Sequence, residues 1–277
     1  MFKSNSILLA ACGGAVAMAA VLSNAGVGTL RASTVTFSDS FSGTTGSKAS
    51  YGGTPNTIGN GWVIPSSSQT STWQITDTPF SGGALDATQN GTFGGNVPAP
   101  MVNPGAETPA TGGFTVSVDV ATPAVVPTGD FPGLVFNYQN ANNFDYVRVI
   151  TGNSTGSPGG AIQMFNVVNG TSNYLYNTSS SLSTNMVANT MYQLTAVETT
   201  GSKFSFTLSS IGGATLMTAS ATNSQFTGGI AGIGEAGNDY YSNFSDTFTP
   251  VPEPATLGLV AAGALGLLLL KRRKASV

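Results

Sequence analysis

The feature that most constrains this chain is the alternation of apolar and polar residues along short runs. Phe114, Val116, Val118 and Val120 alternate with Thr115, Ser117 and Asp119. Leu134, Phe136 and Tyr138 alternate with Val135 and Asn137, and Phe204, Phe206 and Leu208 with Lys203, Ser205 and Thr207. A period of two sends one set of side chains to a buried face and the other to solvent or a second layer. The same reading predicts strands over 35–41, 73–76, 146–150, 161–168, 190–197, 216–221 and 242–248. Turn signals separate them: Asn169-Gly170, Gly212-Gly213, Gly228-Gly229 and Pro158-Gly159-Gly160. No helix pattern appears between 34 and 249. The expectation is one all-β domain over 34–249, a two-sheet antiparallel sandwich of jelly-roll type. The stretch 43–61 and the Pro-rich stretch 96–113 read as surface loops.

Composition narrows the chemistry. Fifteen Phe, eight Tyr and two Trp supply core material, so the low charge content of 8% does not signal disorder. There is no His, which excludes Ser-His-Asp and Cys-His catalysis and His-containing zinc sites. The single Cys, Cys12, lies in an N-terminal apolar segment expected to be removed, so no disulfide or thiolate is expected in the mature protein. Residues 34–249 carry three basic residues (Lys48, Arg148, Lys203) and eleven acids, a formal charge of −8. Such a body is a poor partner for nucleic acid.

Both ends read as addresses. Residues 1–25 read as a secretory signal: Lys3, then an uncharged Ala/Leu/Val-rich run, then Ser23-Asn24-Ala25 with cleavage after Ala25. A lipoprotein-like Leu9-Ala10-Ala11-Cys12 string is set aside, because too few apolar residues precede Cys12. Residues 250–277 combine Pro252-Glu253-Pro254, an uncharged run over 257–270, and the basic tetrad Lys271-Arg272-Arg273-Lys274. The two prolines hold an extended segment ahead of an apolar helix. The helix is short for a membrane span, and the tetrad would stay cytoplasmic. A simple single-span anchor is the plainer alternative. This order closely resembles the PEP-CTERM sorting domain. The resemblance implies a Gram-negative bacterium, recognition by an exosortase, removal of the tail, and delivery to the cell surface or an exopolysaccharide matrix.

The body resembles the concanavalin A-like lectin/glucanase superfamily, particularly laminin G-like bacterial domains. Phe37-Ser38-Asp39-Ser40-Phe41 looks like its opening edge strand, and Gly61-Trp62, Trp73-Gln74-Ile75 and Gly82-Gly83-Ala84-Leu85 like its early strands. Gly133-Leu134-Val135-Phe136, leading through Asn142-Asn143-Phe144-Asp145-Tyr146-Val147-Arg148-Val149, is the best match. Ile230-Ala231-Gly232-Ile233 and Tyr241-Ser242-Asn243-Phe244 resemble its closing strands. That superfamily holds glycosidases, lyases and plain lectins, so the fold does not choose among them.

Candidate chemistry is sparse, and no catalytic residue is assigned. The Glu-x-Asp-x-x-Glu string of laminarinase-type relatives is absent, as is the His used by alginate-lyase relatives. A dispersed acid pair would come from Asp119, Asp145, Glu198 and Glu235. Asp119 and Glu198 also read as outward-facing solvated residues on strands. The acidic stretch 235–239 reads as a loop able to ligate Ca²⁺ or simply to face water. A Ca²⁺ tying first strand to last would fall near Asp39, Asn243 and Asp246; no metal ligand is assigned. Trp62, Trp73, Tyr146, Tyr240 and Tyr241 either stack on sugars or pack the core. Arg148 pairs with Asp145 or Asp119, or binds an acidic sugar; pairing is preferred. Three functions stay open. The leading one is a non-enzymatic surface or matrix protein with a lectin-like sandwich that binds carbohydrate weakly or not at all. The others are a carbohydrate-active enzyme and a protein-binding adhesion module.

Overall fold

A computed structural model describes residues 34–41, 48–49, 56–57, 61–64, 72–76, 80, 84–88, 99–109, 113–122, 131–150, 161–177, 186–199, 202–235 and 238–249. The signal and sorting segments, with their expected helices, lie outside the described residues. Among those residues no helix is long and apolar enough to cross a membrane.

Among the described residues seventeen strands, numbered in chain order, form two antiparallel sheets. The first sheet runs β15 (Thr215–Thr222), β14 (Lys203–Ser210), β13 (Tyr192–Thr199), β8 (Phe114–Ala121), β17 (Asn238–Phe248), β6 (Ala84–Thr88), β5 (Thr72–Thr76) and β2 (Lys48–Ala49). β1 (Val35–Asp39) also pairs with β17. The second runs β12 (Thr171–Asn177), β11 (Ala161–Val168), β10 (Asn143–Ile150), β9 (Gly133–Asn140), β16 (Gly229–Glu235), β7 (Ala99–Thr108), β4 (Val63–Ile64) and β3 (Asn56–Thr57). The expected two-sheet sandwich is therefore present.

The alternation does what the sequence reading requires. Val116, Val118, Val120, Leu194, Ala196, Phe204, Phe206 and Leu208 of the first sheet meet Leu134, Phe136, Val147, Val149, Ile162 and Met164 of the second in one core. Phe136 touches Phe114 and Phe204, with ring centroids 5.7 and 5.2 Å away. The second sheet carries a further apolar cluster on its outer face: Val102, Val135, Tyr138, Phe144, Tyr146, Phe165 and Val167. Its Tyr146 ring lies over two glycines. A Cβ on Gly133 would strike that ring and the Val147 carbonyl, and one on Gly234 would come within 2.8 Å of the ring.

β17 closes the first sheet. Its first part pairs with β6 (Tyr241 opposite Leu85) and its last part with β1 (Asp246 opposite Phe37), while β8 runs along its other edge. The β8 register shifts between Ser242 and Ser245, and Asn243 sits there at φ 47°. Asn tolerates that left-handed conformation better than most residues.

Two loop expectations need correction. Most of the Pro-rich stretch 96–113 is strand β7, whose Met101, Val102, Ala106 and Thr108 are buried. Its prolines do not break it because Pro104 is exposed at a register shift against β16, and β4 meets β7 only at Val63–Val102. Few ladder bonds then require an N–H from a proline. The acidic stretch 235–239 is not a free loop either: Glu235 ends β16, and Asn238 and Asp239 open β17. Asp239 is buried, facing none of the solvent a cation loop needs. Within 43–61, two-residue strands occur at β2 and β3.

Candidate functional site

Three segments distant in sequence meet at one end of the second sheet. The first is the β9–β10 hairpin tip. Its Asn140 Oδ1 accepts hydrogen bonds from the Asn142 N–H and the Asn143 Nδ2, both at 3.0 Å. Short Asn side chains close such turns on their own backbone. The second is the β11–β12 turn, Asn169-Gly170, at φ 51° and 77°, as an Asn-Gly hairpin requires. Gly170 N donates to Asn142 O at 2.9 Å and Asn169 N to Asn143 Oδ1 at 3.1 Å, which staples the two tips together. The third is the β15–β16 connection. There Gln225 N donates to Asn223 Oδ1 at 3.1 Å, and Gln139 Nε2 reaches across to Gly228 O.

The first and third segments line a cavity of about 340 Å³, bounded by Gln139, Asn140, Asn143, Gln225, Phe226 and Thr227. Four carboxamides, one hydroxyl and one aromatic ring make up this wall, with no charged group. Each carboxamide offers donors and an acceptor side by side, which suits vicinal hydroxyls. The ring offers an apolar face for C–H groups.

Beneath this wall lies Asp145, fully buried. Asn137 Nδ2 donates to its Oδ2 at 2.9 Å and Asn223 Nδ2 to its Oδ1 at 2.6 Å. Asn137 reaches inward because its backbone turns to φ 50°, and its N–H donates to Thr108 Oγ1 at 3.1 Å. Gly229 permits that turn: a Cβ there would lie 2.6 Å from the Asn137 carbonyl carbon. Burial pushes the Asp145 pKa up to about 7; the two amides hold it down in part and the Glu198 charge adds to the rise. Asp145 thus anchors Asn223, the root of the third segment.

The four acids considered from sequence do not converge. Asp145 and Glu198 interact electrostatically from the two facing sheets, yet neither lines the cavity. Asp119 alternates to the outer face of the first sheet, where it accepts from Asn243 Nδ2 at 2.8 Å and Gln193 Nε2 at 3.4 Å. Burial raises its pKa despite both bonds. The Glu235 side chain lies outside the described residues.

The residues considered for Ca²⁺ lie on the paired strands β1 and β17, with Asp39 opposite Phe244 and Asp246 opposite Phe37. Asp39 accepts from Phe41 N and from Trp62 Nε1, each at 2.8 Å. Asn243 is engaged by Asp119, and Asp246 is buried between Phe244 and Phe248 in β17. No cluster of three or more His, Cys, Asp or Glu occurs among the described residues.

The aromatic candidates are mostly structural. Trp62, Tyr146 and Tyr241 are fully buried; Tyr146 donates to Phe131 O at 2.8 Å and Tyr241 to Gly234 O at 2.9 Å. Tyr240 packs edge-on against Phe80. The Trp73 side chain lies outside the described residues. Among the described residues the exposed ring is Tyr174 on β12, 50% accessible, which the sequence reading did not single out. Its alternation was visible, but nothing local marks an edge strand.

Arg148 does not form the preferred pair. Asp145 points to the inner face of the same strand, Arg148 to the outer, and Asp119 belongs to the other sheet. Instead the guanidinium lies 4.2 Å from the Phe131 ring centroid and 4.6 Å from that of Phe165, with Nε donating to Gln163 Oε1 at 2.8 Å.

Comparison with known proteins identifies the tail. Residues 250–274 match the PEP-CTERM protein-sorting motif, a signal recognised by exosortase, and the match contains Pro252, Glu253, Pro254 and Lys271–Lys274. The motif marks a protein that is exported and sorted to the cell surface or extracellular space. No curated protein matches the chain. Among solved structures, the carbohydrate-binding module CBM66 from Bacillus subtilis is 16% identical at TM-score 0.43, covering 68% of this chain and 92% of that one. The GH43 protein BlXynB from Bacillus licheniformis is 16% identical at TM-score 0.40, over 64% of this chain; the match spans 37% of BlXynB. A toad ovary galectin solved with thio-digalactose is 11% identical at TM-score 0.35, over 50% of this chain and 96% of that one.

Proposed function

We propose that this exported protein is a non-catalytic glycan-binding sandwich whose end cavity takes a neutral sugar. The carrying observation is the cavity wall of Gln139, Asn140, Asn143, Gln225, Phe226 and Thr227. Amides and a ring without charge favour an uncharged polyol over an ion or an apolar ligand. The cavity holds one or two sugar units, so binding is weak per site and gains from many copies on a surface. The non-catalytic reading draws on Asp145, whose two oxygens are each taken by a carboxamide and which does not line the end cavity. The enzymatic alternative draws on Asp145 and Glu198 as coupled acids. Polysaccharide turnover that disappears in Glu198→Gln would establish it instead.

Gln225→Ala and Phe226→Ala test the cavity. Both side chains lie on a surface loop, so the melting temperature should stay within a few degrees. Binding to the best neutral ligand on a glycan array should fall about tenfold or more in each, consistent with ~1–3 kcal/mol for a lost polar or stacking contact. Unchanged affinity in the double variant contradicts the cavity reading.

Processing is part of the proposal. Cleavage after Ala25 and exosortase removal of the tail leave a mature chain without Cys12 or the basic tetrad. Intact-mass measurement of the surface-released protein should give a species lacking 257–277. A mass that includes those residues contradicts it.

A further inference from the structure

A strap of chain, residues 223–228, crosses the end of the sandwich where the cavity lies. It runs from β15 in the first sheet to β16 in the second and contains no charged residue. Beneath it four buried polar side chains come together between the sheets: Asn137, Asp145, Asn166 and Asn223. Asp145 of β10 and Asn166 of β11 stand opposite each other. Asn137 reaches Asp145 from β9, and Asn223 reaches it from the strap itself.

The strap is fastened at both ends. At its start, Asn223 donates through Nδ2 to Asp145 Oδ1 at 2.6 Å, and its backbone N–H donates to Ser202 O at 2.9 Å. At its finish, Gln139 Nε2 donates to Gly228 O. Between these fastenings lie Gln225, Phe226 and Thr227 of the cavity wall. Asp145 connects to that wall through one side chain, because Asn223 Oδ1 accepts from Gln225 N at 3.1 Å.

The surroundings of Asp145 decide which protonation state the closed strap prefers. Two amide N–H groups favour the ion. Against them, the carboxyl is fully buried, and the Glu198 charge on β13 has the same sign. Lys203, at the start of β14, is exposed, and β9, β11 and the strap carry no Asp, Glu, Lys or Arg. Among the described residues, Asn137 Oδ1 and Asn166 Oδ1 are sealed oxygens without a donor. A neutral carboxyl brings an O–H donor to this group of acceptors, whereas a carboxylate is a further acceptor. Burial and charge outweigh the two amides, and the Asp145 pKa stands at about 7.

We propose that Asp145 is a proton latch for the end cavity, which keeps the strap closed and the wall formed for a neutral sugar while its carboxyl carries a proton. This inference rests on the cavity reading and adds its regulation. When the strap lifts, water reaches Asp145 and its pKa falls back toward 3.8. Closure therefore takes up a proton. Bound sugar covers the same end and removes more water, so it acts in the same direction. A group whose pKa is raised in the closed state stabilises that state fully below 3.8 and loses this contribution as pH rises through about 7. Sugar affinity is accordingly highest in mild acid and declines above neutrality.

The test has two arms, both on the full-length protein. The first uses no ligand: backbone hydrogen exchange of 223–228 from about pH 5 to about pH 9, corrected for the intrinsic rate. Corrected exchange should climb as pH passes about 7. Asp145→Asn should remove that step. Glu198→Gln leaves the strap contacts in place and should move the step to lower pH, which a purely structural role for Asp145 would not produce. The second arm is calorimetry with the best neutral oligosaccharide from the array. Affinity should fall about fivefold or more between about pH 6 and about pH 9, with proton uptake on binding near neutrality. The proposal is overturned, with the cavity reading intact, if the sugar binds equally across this range. It is also overturned if 223–228 shows no step, or if either variant keeps the wild-type step. A step that behaves as expected while no neutral sugar binds at any pH supports the latch and contradicts the cavity reading instead.

Discussion

Replacing Asp246 by Asn raises the melting temperature at about pH 9 and leaves it nearly unchanged at about pH 4. Asp246 alternates inward with Phe244 and Phe248 on β17 and is fully buried. Among the described residues no well-formed hydrogen bond reaches either carboxyl oxygen. Burial pushes its pKa up to about 8, the Glu107 charge adds to the rise, and the Thr247 backbone offsets part of it. The folded state thus holds this proton more tightly than the unfolded chain. A raised folded pKa contributes stability that is fully present below the unfolded value of 3.8 and is lost as pH rises through about 8. Asp145, raised to about 7, acts with the same sign. Each unit is worth about 1.4 kcal/mol, so the wild type should melt roughly 10 °C lower at about pH 9 than at about pH 5. Thermal melts across that range check both statements. A wild-type optimum above neutral pH, or an Asn variant with the wild-type slope, contradicts them.

Trp62→Ala should be the most destabilising single core substitution. Trp62 is the largest of the fully buried side chains. Its ring meets Phe37, Phe41 and Phe244 at centroid distances of 6.1, 5.2 and 4.9 Å. It therefore ties the opening strand β1 to the closing strand β17. Truncation removes these contacts and leaves a cavity, at a cost of about 3–5 kcal/mol. It also removes the indole N–H that donates to Asp39 Oδ2 at 2.8 Å. Trp62→Phe keeps most of the packing and should cost less than half as much. Chemical denaturation at constant m-value measures both. A loss under about 1 kcal/mol for the Ala variant would mean that Trp62 does not join these strands.

Much of the sandwich is legible where packing and pattern agree. The expectation for 161–168 coincides with Ala161–Val168, and those for 114–120 and 203–208 fall inside Phe114–Ala121 and Lys203–Ser210. β7 is illegible because Pro100 and Pro104 look like breakers until their position beside a bulge and a short neighbour is known. The Arg148 reading fails for a simpler reason. Residues three apart on a strand face opposite ways, so Asp145 is the wrong partner for Arg148 by alternation alone. The end cavity is illegible for another reason: 139–143 and 223–228 come together only through the order of strands across two sheets. Local sequence identifies them as turns and stops there.

The measurement that bears most directly on the end cavity is backbone hydrogen exchange of the full-length protein, with and without a saturating neutral oligosaccharide chosen from the array. Bound sugar should slow exchange at 139–143 and 223–228, the two segments that supply the cavity wall, and leave the distant β1–β17 pairing unaffected. Protection confined to other segments, or no neutral oligosaccharide that alters exchange anywhere, contradicts the account.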